Sequence, residues 1–136
     1  MTFPKFKLQR LSVGGLFVLS LLGSLAPISA LAWTRIGETP EVTLYVNRNS
    51  IEKDDTIRRV WEMQDLKVPD AEGVRSRRYL NEYDCTYKMH RMGQMTSFSG
   101  PKMTGQKLAT VNEMGYWRKI PPNGVFVLTY IAVCIE

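Results

Sequence analysis

The chain has 136 residues, of which 44% are hydrophobic and 23% charged, and its formal net charge is +5. Three of the 18 basic residues and none of the 13 acids lie in the first 32 residues, so the rest of the chain carries a charge of +2. This near balance of charge argues against a general nucleic-acid binder. The length leaves room for one small domain, and the sequence shows no low-complexity tract.

The first 32 residues read as a secretory signal peptide. The segment Leu11–Leu25 is uncharged and mostly apolar, Ala30-Leu31-Ala32 offers a cleavage site, and the preceding residues carry only positive charges, at Lys5, Lys7 and Arg10. This pattern predicts cleavage before Trp33, leaving a single domain over 33–136 that is exported to the periplasm, the cell surface or the medium.

The sequence also bears on whether this segment is retained and on the route of export. Because no charge falls between Leu11 and Thr34, a retained membrane anchor is the alternative to cleavage. No Arg-Arg pair precedes the apolar stretch and no Cys lies directly after the predicted cleavage point, so general secretion without a lipid anchor is expected.

The two cysteines, Cys85 and Cys134, both lie in the predicted mature domain. Two cysteines in an exported domain most simply form one disulfide. A metal site is the rival interpretation, but two Cys and the single His90 are too few ligands for it. No metal and no cofactor is therefore expected.

The first mature segments predict a β-hairpin. Val42–Asn47 alternates with Leu44 and Val46 on one face, and Val60–Gln64 alternates again. The second alternation predicts that Trp61 and Met63 point inward.

Next comes a segment that reads as one long strand over Arg78–His90. Its apolar face carries Tyr79, Asn81, Tyr83, Cys85, Tyr87 and Met89. Its polar face carries Glu82, Asp84 and His90, which are expected to be solvated, with Arg or Lys across the sheet as the expected partners of the acids.

After this strand, Gly93 predicts a turn into a further strand through Met95 and Phe98, and Lys107–Val111 predicts another. The apolar, β-branched run Val125–Ile135 favours a buried strand by propensity, while its length also permits a buried helix. Because the gaps between strands are too short for helical crossovers, the sheet is expected to be antiparallel.

These residues resemble the surface-adhesin E-like family of Gram-negative bacterial envelope proteins. The matching pieces run in order through the mature chain: Trp33, Tyr45-Val46-Asn47, Ser50-Ile51, Val60-Trp61, Asp65, Glu82-Tyr83-Asp84-Cys85, Phe98-Ser99-Gly100, Trp117-Arg118-Lys119-Ile120-Pro121-Pro122 and Cys134.

The resemblance implies an α+β, mainly β, fold: a small antiparallel sheet with a short C-terminal helix before Cys134 and one disulfide. It also implies a non-catalytic module that binds host extracellular-matrix or plasma proteins. A periplasmic structural or accessory protein without a host ligand is the alternative.

No nucleophile, base or metal set for catalysis is evident, so no enzymatic site is expected. A basic cluster offers a candidate binding site for an acidic protein or sulfated glycan: Arg75, Arg77, Arg78, Lys88 and Arg91. A merely solvated face is the alternative. The expected partner is a matrix or other envelope protein, and an exposed edge strand could pair with a second copy.

Overall fold

The computed structural model describes Thr2, Gly14 and residues 32–135. The predicted signal peptide over 1–32 therefore lies almost wholly outside the described residues, and its cleavage remains a prediction. Within the described part of the chain, no helix has the length and apolar character needed to cross a bilayer.

Within residues 32–135, eight strands and one helix make up the domain. The strands are β1 (Trp33–Glu38), β2 (Val42–Asn47), β3 (Glu52–Asp54), β4 (Ile57–Leu66), β5 (Ser76–Asp84), β6 (Met89–Phe98), β7 (Lys107–Val111) and β8 (Arg118–Lys119), and the helix is α1 (Phe126–Cys134). Two 3-10 turns lie at Arg48–Ser50 and Pro101–Met103. The strands form one sheet in the order β1-β2-β4-β5-β6-β7, with β3 pairing to β4 and β8 to β6. Every pairing is antiparallel, which confirms the expected mainly β fold.

The chain between β2 and β4 forms an elaborated version of the predicted hairpin. Val42 pairs with Leu66 and Val46 with Glu62, as expected for antiparallel partners. The intervening residues add the first 3-10 turn and the short strand β3, which pairs with the first residues of β4. The polar residues between the two predicted strands thus supply a short strand of their own.

The predicted strand over Arg78–His90 is wrong, because the chain reverses in its middle. Strand β5 ends at Asp84 and β6 starts at Met89, so two adjacent strands replace one long strand. The Asp84 carboxylate accepts hydrogen bonds from the backbone N–H groups of Thr86 (2.9 Å) and Tyr87 (3.0 Å). This side-chain turn offers the backbone an alternative to continued pairing.

The reversal changes which face His90 occupies. Tyr83 and His90 are opposite each other in the β5–β6 pair, so they share a face of the sheet. His90 is buried and its ring lies 4.4 Å from that of Phe126. The expectation of a solvated His90 is therefore wrong.

The turn predicted at Gly93 is also wrong, since β6 runs straight through this residue. Glycine is needed there for close packing. A Cβ at position 93 would lie 3.0 Å from the Met114 Cα and 3.1 Å from the Glu113 carbonyl oxygen. The chain after β7 therefore packs directly on the backbone of β6.

The C-terminal run forms a helix, which corrects the preference for a strand from residue propensity and confirms the fold implied by the family resemblance. Tyr130 and Val133 of α1 pack on one face of the sheet against Val46, Val60 and Tyr83, and these residues form the core. Tertiary burial of an apolar face commonly overrides weak local propensity.

The predicted disulfide joins Cys85 to Cys134. It connects the β5–β6 turn to the last residue of α1, with the two Cα atoms 5.4 Å apart. The Tyr130 hydroxyl also donates to the Cys85 carbonyl oxygen at 3.2 Å. The helix is thus fastened to the sheet at its C-terminal end by a covalent bond and a hydrogen bond.

Candidate binding surface

The sheet has one face covered by α1 and a second face that we call the helix-free face, which carries Arg59, Trp61, Arg78, Glu82 and Arg91. Strand alternation and register set this division, because Arg59 is opposite Glu82, Trp61 is opposite Leu80, and Glu82 is opposite Arg91. The second 3-10 turn and the segment 112–117 lie over its two flanks.

The prediction that Trp61 points inward is wrong. It lies on the helix-free face and is only partly buried, whereas Val60 and Glu62 face the helix. Met63 is buried, as predicted, but on the same side as Trp61. The alternation in β4 is real, but the face of this strand that carries Trp61 and Met63 is not the one covered by α1.

An ion-pair cluster occupies one half of the helix-free face. The Glu82 side chain is only 3% exposed, and it accepts hydrogen bonds from Arg59 Nε at 2.9 Å and from Arg91 Nε at 2.7 Å. The Arg91 guanidinium also stacks on Trp117, 4.7 Å from the ring centroid. The expectation of a solvated Glu82 is wrong, although its arginine partners across the sheet were anticipated.

The two arginines determine the charge state of Glu82. Burial alone would raise its pKa, but the hydrogen bonds from Arg59 and Arg91 outweigh burial and lower the pKa below 4.5. Glu82 is therefore ionised at neutral pH and positions both guanidinium groups at the surface.

Two further cations on this face contact aromatic rings rather than carboxylates. The exposed Arg78 guanidinium lies 5.0 Å from the Trp61 ring centroid, and the Lys102 ammonium lies 5.7 Å from that of Tyr45. Stacking on an aromatic ring orients a guanidinium while leaving its N–H donors free. These cations can therefore still accept an anionic partner.

A shallow cleft of about 220 Å³ opens beside the ion-pair cluster. Its lining combines charge with apolar side chains: Arg59, Leu80, Glu82, Gln94, Asn112 and Met114. Leu80 and Met114 give it an apolar floor next to the guanidinium of Arg59. Such a cleft suits one protruding side chain of a partner protein rather than a whole small molecule.

The five basic residues predicted to form a binding cluster are not brought together. Arg78 and Arg91 share the helix-free face, as described above. Arg75 donates to the Leu66 carbonyl oxygen, Arg77 lies on the other face 3.7 Å from the Asp70 carboxylate, and Lys88 is exposed in the β5–β6 turn. The turn at Asp84 separates Lys88 from Arg78, which the sequence had placed on one strand face.

A second acidic residue, Glu62, was missed by the sequence reasoning. It is fully buried beneath α1, where its carboxyl group accepts hydrogen bonds from the Tyr83 hydroxyl and from Asn81 Nδ2 at 3.4 Å. No basic side chain hydrogen-bonds to it among the described residues. Burial raises the pKa of Glu62, which favours the neutral carboxyl group inside the fold.

The acids and the histidine of the predicted long strand do not converge on one site. Glu82 and His90 lie on opposite faces of the sheet, and Asp84 is engaged in its turn. Burial lowers the pKa of His90, and the nearby Arg118 lowers it further, so this imidazole is neutral at pH 7. Within the described residues, no three His, Cys, Asp or Glu side chains are grouped as metal ligands would be.

The fold and this surface define a small disulfide-linked sheet domain with two arginines stacked on tryptophan rings on its helix-free face. The model of the family Surface-adhesin protein E matches residues 33–135, and the chain therefore belongs to that family of surface-adhesin-type envelope proteins. No curated protein matches the chain.

Solved structures of protein E from Haemophilus influenzae share the fold. The selenomethionine form has a TM-score of 0.57 at 14% identity, covering 77% of this chain and 87% of that one. A second crystal form has a TM-score of 0.56 at 13% identity, covering 76% and 87%. Protein E from a non-typeable strain gives 0.52 at 14%, covering 76% and 75%. At these identities the likeness establishes the fold alone.

Proposed function

We propose that this protein is an exported, non-catalytic binding module that holds an acidic region of a host matrix or plasma protein against its helix-free face. The observation that carries the proposal is Arg78, an exposed guanidinium stacked on Trp61 with no carboxylate partner among the described residues. Family membership supports a role in adhesion, and the stack of Arg78 on Trp61 supports binding of an acidic region.

Arginine and tryptophan are the residues most enriched where binding energy concentrates in protein interfaces. Here two Arg–Trp stacks, Arg78 on Trp61 and Arg91 on Trp117, lie on one face of a rigid sheet. Because the sheet fixes the backbone and the rings restrict the guanidinium groups, less side-chain entropy is lost when a partner binds. We propose that Arg78 contacts the partner directly and that Glu82 positions Arg91 beside it.

The other predicted contact residues have smaller roles in this proposal. Arg75 and Arg77 are already held by the Leu66 carbonyl group and by Asp70. Lys88 lies in the turn next to the disulfide and away from Trp61. We therefore expect substitutions at Arg75, Arg77 and Lys88 to weaken binding less than substitution of Arg78.

Binding to a panel of immobilised extracellular-matrix and plasma proteins, at low and at high salt, tests the proposal. We expect wild-type protein to bind at least one member, with affinity falling as salt rises. Arg78→Glu is expected to weaken that binding by about tenfold or more, since it reverses a charge at the centre of the contact.

The matched control is Lys53→Glu, which makes the same change in net charge. Lys53 is an exposed residue of β3, opposite Arg58. Equal losses in the two variants would show that only net charge matters. Failure of wild-type protein to bind any panel member would remove the host-ligand proposal and favour an accessory role in the periplasm.

A further inference from the structure

The outward side of α1 is unusual for a helix that covers a sheet. Its nine residues include no charged side chain, and its two polar residues, Thr129 and Tyr130, are buried toward the sheet. On the other side, Ile131 is 41% exposed, and Ile135, just after the helix, is 68% exposed. A helix at a protein surface ordinarily presents polar residues to water.

Basic residues flank this apolar side. A cleft of about 280 Å³ between α1 and β1 is lined by Arg35, Ile36, Arg48, Leu128, Ile131 and Ala132. The lining contains two guanidinium groups and no carboxylate. Arg35 makes only an exposed ion pair with Glu38 at 3.2 Å, and Arg48 forms no ion pair among the described residues.

The combination of apolar and basic side chains indicates what covers this surface. Basic residues favour the anionic head groups of a bilayer. An apolar helix surface flanked by two arginines has the chemistry of a surface that lies on lipid.

We propose that the helix edge, defined by Arg35, Arg48, Leu128, Ile131 and Ile135, rests on a bilayer surface containing anionic phospholipid. The two isoleucines enter the head-group region and the arginines contact phosphate. Because α1 covers the opposite side of the sheet from Arg78, this orientation points the helix-free face away from the lipid and toward a partner. The two surfaces are separate, so either proposal can fail without the other.

Co-sedimentation with vesicles tests the lipid proposal. Protein purified from cells that express the full chain is mixed with vesicles of phosphatidylcholine alone or with 30% phosphatidylglycerol. We expect binding to the anionic vesicles, weakened about tenfold by Arg48→Glu because two units of charge change at the surface. The matched control is Lys107→Glu on β7, at the opposite edge of the sheet, which is expected to bind as wild type does.

The apolar part is tested by Ile131→Glu and, independently, by Ile135→Glu, which lies outside the helix and should leave the fold intact. Each is expected to weaken vesicle binding about tenfold or more. No binding of wild type to anionic vesicles, equal binding to both vesicle types, or undiminished binding by the folded Ile135→Glu variant would overturn the proposal. A wild-type dimer that Ile135→Glu converts to monomer would assign the helix edge to a second copy instead.

Discussion

Replacing both cysteines by alanine tests the role of the disulfide in holding α1 on the sheet. Cys85 and Cys134 are 49 positions apart, and closing a loop of that length in the unfolded chain corresponds to about 4 kcal/mol in the chain-entropy model. For a domain of this size, such a loss lowers the unfolding midpoint by roughly 15–25 °C.

The native state should nevertheless survive the substitution. Tyr130 and Val133 still pack against Val46, Val60 and Tyr83, and the Tyr130 hydroxyl still reaches the Cys85 carbonyl oxygen. We therefore expect the double variant to keep its β-sheet circular dichroism at 20 °C. The loss should appear in the free energy of unfolding rather than in the folded spectrum.

The assay is urea unfolding at pH 7, followed by tryptophan fluorescence, for wild type and for the double variant. Wild type in a strong reductant is the control, and it should unfold at the same urea concentration as the variant. A loss below about 1 kcal/mol would refute the argument from loop closure. It would mean that packing of α1 restricts the chain as much as the covalent bond does.

The two buried glutamates should give opposite dependences of stability on pH. The pKa of Glu62 is raised above 4.5, so its contribution to the free energy of unfolding is fully present below that value and is lost as pH rises through the folded pKa. Glu62→Gln should therefore remove this decline in stability. The pKa of Glu82 is lowered, so its contribution is present above 4.5 and lost as pH falls through the folded pKa. Glu82→Gln should remove that acid sensitivity and lower the free energy of unfolding by about 2 kcal/mol at pH 7. This loss is smaller than for a fully buried ion pair, because Arg59 and Arg91 are partly exposed. Urea midpoints of the three proteins between about pH 2 and pH 9 check both signs, because the loss at Glu82 falls below pH 4.5 and the loss at Glu62 above it. Parallel pH profiles would contradict them. Asp84→Ala should cost about 1 kcal/mol in the same assay, because two backbone N–H groups lose their acceptor.

The strands that could be predicted are those with a clear period of two and a turn signal at each end. Val42–Asn47 and Lys107–Val111 have the predicted bounds, and the pairing of β2 with β4 was anticipated. The reversal after Asp84 was missed because Cys85-Thr86-Tyr87-Lys88 continues the alternation without Gly or Pro. Asp84 itself was the available signal, since an Asp side chain can accept hydrogen bonds from backbone N–H groups two and three residues on, here those of Thr86 and Tyr87.

The side-chain environments were harder to predict than the strands. Alternation assigns residues to two faces, but it does not say which face a helix will cover. Glu62 is buried because its hydrogen-bond partners, Asn81 and Tyr83, come from a strand about 20 positions away. Trp61, predicted inward, instead supports Arg78 on the other face. These pairings depend on register, which no short segment specifies by itself.

We propose that this domain acts outside the cytoplasm as a binding protein. Fractionation of expressing cells, with mass spectrometry of the recovered chain, tests it most directly. We expect a chain that starts at Trp33, recovered from the periplasm, the cell surface or the medium, with Cys85 and Cys134 oxidised. A full-length chain in the cytosol, with free thiols at both positions, would contradict the claim.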